Sequence, residues 1–146
     1  MMRNILVLAA ILLASATSLS AANDPIAERK EILKGIGEAT KPVVGMMRGE
    51  VPFDRAKVNA ALTSYANAVP KLPALFPDDS KTGGKTEALP RIWDEKAKFE
   101  ALFTKLGEDV KIAQAEAITD VASLKAAFPK VLKDCKACHD DYREKK

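Results

Sequence analysis

Residues 120–142 read DVASLKAAFPKVLKDCKACHDDY, and this stretch decides what kind of molecule the chain builds. Val121, Leu124, Phe128, Val131, Cys135, Cys138 and Tyr142 recur at the three- and four-residue spacing of one helix face. Asp120 precedes the run as an N-cap, and Pro129 predicts a bend or the loss of the first turns. Cys135 and Cys138 are i,i+3, and Cys135 and His139 are i,i+4, so both sulfurs and the imidazole project from one side. A flat macrocycle laid along that side meets a thiol at two edge positions and the histidine under its metal. That geometry is why C-x-x-C-H is the attachment signature of c-type haem.

Three other readings of the motif are weaker. Structural zinc needs four ligands, and the chain holds two Cys and one His in all, so carboxylates would have to complete the set. A thioredoxin-like C-x-x-C opens a helix after a strand, whereas this one lies near the end of a helical run. A plain disulfide leaves His139 without a reason.

Working upstream, the first segment opens at Asn23-Asp24-Pro25 and places Ile26, Leu33, Ile36, Val43/Val44 and Met47 at helical spacing, with Arg29 and Thr40 in the same stripe. Pro42 predicts a kink or an early end, and Gly49 and Pro52 mark the exit. The second segment starts at Asp54, carries Val58, Leu62, Tyr65 and Val69, and stops at Pro70 and Pro73. Residues 70–90 form one long irregular connection dense in Pro and Gly. The third segment begins at Pro90 and carries Ile92, Phe99, Phe103, Leu106, Val110 and Ala113. No alternating run suggests a strand, and no internal repeat is visible. The expectation is an all-α, antiparallel up-down-up-down four-helix bundle binding one covalent haem.

The start of the chain is of a different character. Met1-Met2-Arg3-Asn4, the apolar run Ile5 to Leu13 and the small residues Ala14 to Ala22 predict a secretory signal peptide over residues 1–22. The run is too short for a stable membrane span. Residues 23–146 are then one domain, exported to the periplasm, where bacterial haem attachment takes place. Of 23 basic side chains the signal removes Arg3, leaving the mature chain nearly balanced against 20 acidic ones. No basic block or aromatic-interleaved patch points to nucleic acid, and no later stretch is long enough to insert in a membrane.

What faces the metal opposite His139 follows from topology. In such a bundle the end of the last helix lies beside the start of the first, near residues 26–36. The methionines of the mature chain are Met46 and Met47. Met46 is 13 residues past Leu33, or about 20 Å along a helix axis, too far to ligate. Lys30, Lys34 and Tyr65 are conceivable ligands, but a buried neutral lysine amine is unusual. Ile26, Leu33 and Ile36 cannot bind iron at all. The expectation is five-coordinate iron under an apolar ceiling, open to neutral diatomics and poor at holding O₂, because no distal donor stabilises it.

The sequence resembles the cytochrome c′ family, the class II c-type cytochromes. The resemblance rests on Cys135-Lys136-Ala137-Cys138-His139-Asp140-Asp141-Tyr142-Arg143, on Arg48-Gly49-Glu50-Val51-Pro52-Phe53-Asp54, and on Leu89-Pro90-Arg91-Ile92-Trp93. It spans essentially the whole mature chain. The family is itself a known example of a four-helix bundle. The resemblance implies haem c joined through Cys135 and Cys138, with His139 as the metal ligand. It also implies Arg29 near the propionates with Lys30 beside it, Thr86 and Glu87 along the haem edge, and Arg143 beside the proximal imidazole. Leu33 falls where low-spin relatives carry a ligating Met and gas-binding members carry an apolar residue. Phe76 and Trp93 are expected at the haem periphery. Arg29 and Arg143 also admit a plain reading as surface charges, and Trp93 as core.

By the same resemblance the protein is a periplasmic homodimer packed through its first two helices. The leading expectation is a non-enzymatic haem protein that binds NO and CO, with NO sequestration as its role. An electron-transfer cytochrome with a periplasmic redox partner is the alternative, disfavoured because a change of spin and coordination on reduction raises the reorganisation energy. A haem-free exported bundle is the third.

Overall fold

The structure is a computed structural model and describes residues 24–145; the expected signal peptide of residues 1–22 lies outside the described residues. Helix α1 spans Pro25–Arg48, capped by Asp24, whose side chain accepts from the Ile26 N–H at 2.9 Å, and closed by Gly49 at φ 75°. Pro42 does not end it. The turns that follow bury Val43 and Met46 almost completely, and that burial outweighs the lost backbone bond, which costs about 3 kcal/mol.

Helix α2 spans Arg55–Ala68 with Asp54 as N-cap. Pro70 and Pro73 then turn the chain into a tighter 3₁₀ stretch, Val69–Leu75, followed by a single 3₁₀ turn, Asp78–Ser80. The connection expected to be irregular is therefore half ordered. The third segment also differs from expectation, because it is divided. A one-turn helix α3, Arg91–Asp94, is separated from α4, Lys96–Ala115, by Glu95 in a non-helical conformation. The corner is held from both sides: Trp93 Nε1 and Lys96 Nζ donate to the Phe76 carbonyl at 3.1 and 2.6 Å, and Tyr142 Oη donates to Glu95 Oε2 at 2.9 Å. Helix α5, Val121–Tyr142, starts with a reciprocal Asp120–Ser123 capping box. It runs unbroken past Pro129, since Phe128 and Val131 on either side are fully buried.

The four long helices form the bundle. α1 packs along α2, α4 along α5, and α2 against α4, whereas α1 and α5 touch sparingly. The seam between α1 and α5 is thus where the bundle stays open. Away from that seam, Val58, Leu62, Val110, Leu124 and Val131 fill an apolar core. An aromatic group crosses toward it, with Phe99 at 4.7 Å from Phe76, 5.0 Å from Phe103 and 5.2 Å from Tyr142, all edge-on. Each such pair contributes about 0.5–1.5 kcal/mol beyond area burial.

The loop after α2 is lashed to α1 by one buried cation. Arg29 Nη1 donates to Leu75 O and Ser80 Oγ, and Nη2 donates to Ser80 O and Thr86 Oγ1, all at 2.8–3.0 Å. Its guanidinium also lies over the Phe76 ring at 4.5 Å. Gly84, at φ 54°, brings the loop so close to α1 that a Cβ there would stand 2.7 Å from Ile26 Cγ2.

Candidate functional site

The open seam is a cavity of about 1170 Å³ walled by α1, α2, α4, α5 and the loop. Sites for small molecules and cofactors span roughly 300–1,000 Å³, so this one has room for a large planar group. Its inner wall is apolar, from Ile36, Leu72, Phe99, Phe103 and Leu106. Arg29, Lys30 and Thr86 make one end polar. All nine residues singled out from sequence line it: Arg29, Lys30, Leu33, Thr86, Glu87, Cys135, Cys138, His139 and Arg143.

Helix α5 supplies the reactive groups. Cys135 and Cys138 are free, partly buried thiols. Burial raises the proton affinity of both, and Cys138 is pushed up to about 11 by burial, then by Cys135 and Asp141. Cys135 Sγ lies 3.7 Å from Tyr65 Oη, which is 2.8 Å from Thr40 Oγ1, which in turn donates to Ile36 O at 2.7 Å. Since the Thr40 proton goes to Ile36, Tyr65 donates to Thr40 and is left to accept from the thiol. His139 is held below its usual proton affinity by burial away from water and by Arg143, against a smaller opposite pull from Asp140. Its imidazole is neutral at neutral pH, the form that ligates a metal. Among the described residues no group of three or more His, Cys, Asp or Glu is placed to hold a metal ion.

The α1 wall carries the other decisive residue. Leu33 is 38% exposed in the protein alone, a large apolar side chain facing the cavity rather than the core. Met46 is buried near the far end of α1 and its sulfur accepts from the Asp54 N–H at 3.4 Å; neither Met46 nor Met47 lines the cavity. The Lys30 amine is engaged by the carbonyls of Gly84 and Lys85, both at 3.2 Å.

Four expected site residues have structural work in addition. Arg29 uses all four Nη hydrogens on the loop, so Nε–H is the donor left for an acidic group in the cavity. Thr86 accepts from Arg29 and from the Ala88 N–H. Glu87 pairs with Arg143 at 2.6 Å, and the backbone around them forms a short antiparallel seam, with Leu89 N–H to Tyr142 O at 3.0 Å and Glu144 N–H to Glu87 O at 2.8 Å. That seam places Arg143 next to the turn that carries His139. Phe76 lines the cavity, but Trp93 sits behind it as a hydrogen-bonded prop. Asp134 and the Thr40–Tyr65 pair also line the cavity and had no motif to announce them. Tyr65 stood out in sequence only as a conceivable ligand, a role its two hydrogen bonds argue against.

The sequence profile of the cytochrome c′ family matches residues 24–143. The chain belongs to that family. Cytochrome c′ of Rhodopseudomonas palustris is 56% identical over 126 residues, covering 86% of each chain. A solved structure of cytochrome c′ from that organism, 57% identical, superposes with a TM-score of 0.81 over 84% of this chain and 98% of its own. A second protein of the same organism, cytochrome c-556, is 33% identical over 149 residues, covering 99% of each chain. A nitric oxide complex of a single-substitution variant of cytochrome c′ from Alcaligenes xylosoxidans is 26% identical, with a TM-score of 0.71 over 83% of this chain and 94% of its own. Membership makes this a haem protein of the c type, built on the family's four-helix bundle. The cavity suits such a group: two thiols and a neutral imidazole on one helix face, apolar walls for a ring, and donors at one end for its carboxylates.

Proposed function

We propose that this cytochrome c′-family protein is a periplasmic receptor for small neutral gases, NO and CO, that holds one haem c and performs no turnover. Cys135 and Cys138 would form the thioether links, His139 would bind the iron, Arg29 Nε–H and Lys30 would receive the propionates, and Leu33 would line the side of the cavity left for a gas. The haem supplies a metal that takes a diatomic ligand. The protein's part is to keep other ligands away and leave that side apolar.

The observation that carries this reading is the placement of Leu33. It faces the cavity from α1, while the sulfur of Met46 is turned away and hydrogen-bonded elsewhere. An apolar ceiling gives anions and water no donor, and a neutral diatomic pays little to enter. The nitric oxide complex of the Alcaligenes relative agrees with this chemistry.

Relatives named cytochrome c-556 also match the chain, and the alternative reading is that it passes electrons to a periplasmic redox partner. Absorption spectra of the reduced protein with and without CO separate the two. A high-spin spectrum that shifts on CO supports gas binding, whereas a sharp low-spin spectrum indifferent to CO would sink it. The export signal and a homodimer joined through α1 and α2 belong to the same proposal, and they are tested by periplasmic fractionation and by sedimentation.

A further inference from the structure

Asp134 is an unusual neighbour for an apolar cavity. It is 6% exposed, lines that cavity, immediately precedes Cys135 and stands one helical turn from Cys138. Its Oδ1 accepts from Lys105 Nζ at 2.6 Å, and the same ammonium donates to Asp109 Oδ2 at 2.6 Å. Two carboxylates thus share one cation across α4 and α5. Asp134 Oδ2 has no hydrogen-bond partner, the one buried side-chain polar atom so placed among the described residues. An unsatisfied buried carboxylate oxygen is destabilising, and the trio carries a net negative charge. A single proton on Oδ2 removes the excess negative charge that one shared ammonium leaves uncompensated and makes that oxygen a donor in place of an orphaned acceptor.

We propose that Asp134 is a redox-linked proton site, whose carboxylate takes up one proton when the neighbouring haem takes up one electron and releases it on oxidation. The inference rests on the haem reading above. A one-electron reductant supplies the electron and solvent supplies the proton, which forms the Asp134 O–H bond; no other bond changes. Reduction removes a positive charge from the ring tethered by the adjacent Cys135, so the carboxylate loses a stabilising partner. By reciprocity, protonating Asp134 favours the reduced iron.

The surroundings assign the proton to Asp134 and not to Asp109. Burial raises its proton affinity, Lys105 opposes this, and Asp109 adds to it. Asp109 is held low by Lys105, with a smaller pull from Lys130 on α5. Among the described residues, no side chain of α1 or α2 forms a hydrogen bond or ion pair with Asp134.

The test is a potentiometric titration from pH 4 to 8 on the holoprotein and on Asp134→Asn and Lys105→Gln, with proton uptake on reduction read by an indicator dye. The expected result is a potential that falls as pH rises, with the proton affinity of Asp134 changing about fivefold or more between the oxidation states. Asp134→Asn should flatten that part of the curve and take up correspondingly fewer protons. Lys105→Gln, which removes the opposing ammonium, should move the curve to higher pH. A wild-type slope in Asp134→Asn, or an unmoved curve in Lys105→Gln, would overturn the proposal. A CO spectrum of each sample keeps the two claims apart: a CO-responsive protein with unchanged proton balance defeats this inference alone, while a colourless one defeats the haem reading as well.

Discussion

Tyr65 on α2 and Cys135 on α5 meet inside the cavity, with the phenol oxygen 3.7 Å from the sulfur. The contact joins two helices 70 positions apart in sequence at the point where the macrocycle would be anchored. It also explains why Tyr65 is not available to the metal, because its hydroxyl already lies between Thr40 and a thiol.

Tyr65→Phe should therefore cost about 1 kcal/mol of stability, the worth of a buried neutral hydrogen bond, in urea unfolding. Burial holds the Tyr65 phenol protonated well above the ordinary tyrosine range. The folded state binds this proton more tightly than the unfolded chain. The stability it contributes is intact below about pH 10 and is lost as pH rises beyond that value. A spectrophotometric titration in which Tyr65 ionises at pH 10 in the folded protein would contradict this account.

Leu33→Met places a sulfur where the gas ligand is proposed to bind. The expected outcome is a shift toward six-coordinate iron and slower CO association, followed by stopped-flow absorbance. Unchanged CO kinetics would show that Leu33 does not cover the iron.

Arg29→Ala leaves three loop acceptors and the Thr86 hydroxyl without their buried donor. Hydrogen bonds to a charged group contribute about 1.5–3 kcal/mol, so the loss in denaturant unfolding should be about 2 kcal/mol or more. Amides of residues 76–86 should exchange faster with solvent. Arg29→Lys should recover only part of this, since an ammonium cannot reproduce the four-way fork.

Arg143→Gln removes the cation that helps keep His139 neutral. In the haem-free chain, NMR should show the imidazole binding protons at higher pH than in the parent. His139 is held below its unfolded value, so its contribution to stability is present above about pH 6.5 and is lost as pH falls through the lower folded value. Removing Arg143 should narrow that acid-sensitive window. The Arg143–Glu87 pair is largely exposed, and its direct effect on stability should stay below about 1 kcal/mol.

The bundle was legible because periodicity and capping agree: Asp24, Asp54 and Asp120 each cap a helix whose buried face repeats as the pattern requires. The anchoring trio was legible because its three residues lie within five positions of one helix. Pro42 and Pro129 were misleading as helix breakers, since a local penalty gave way to burial of Val43, Met46, Phe128 and Val131. The division at Glu95 was hidden for a similar reason, being set by donors converging on Phe76 from Trp93 and Lys96. Asp134 belongs to no motif; its burial against Lys105 depends on a residue 29 positions away.

The backbone ladder between residues 87–89 and 142–144 ties the last turn of α5 to the loop that borders the cavity. Loosening the last turn of α5 would therefore also release that loop. Anything that pulls on the carboxyl terminus, a fused tag included, tugs directly at the rim of the ring's berth.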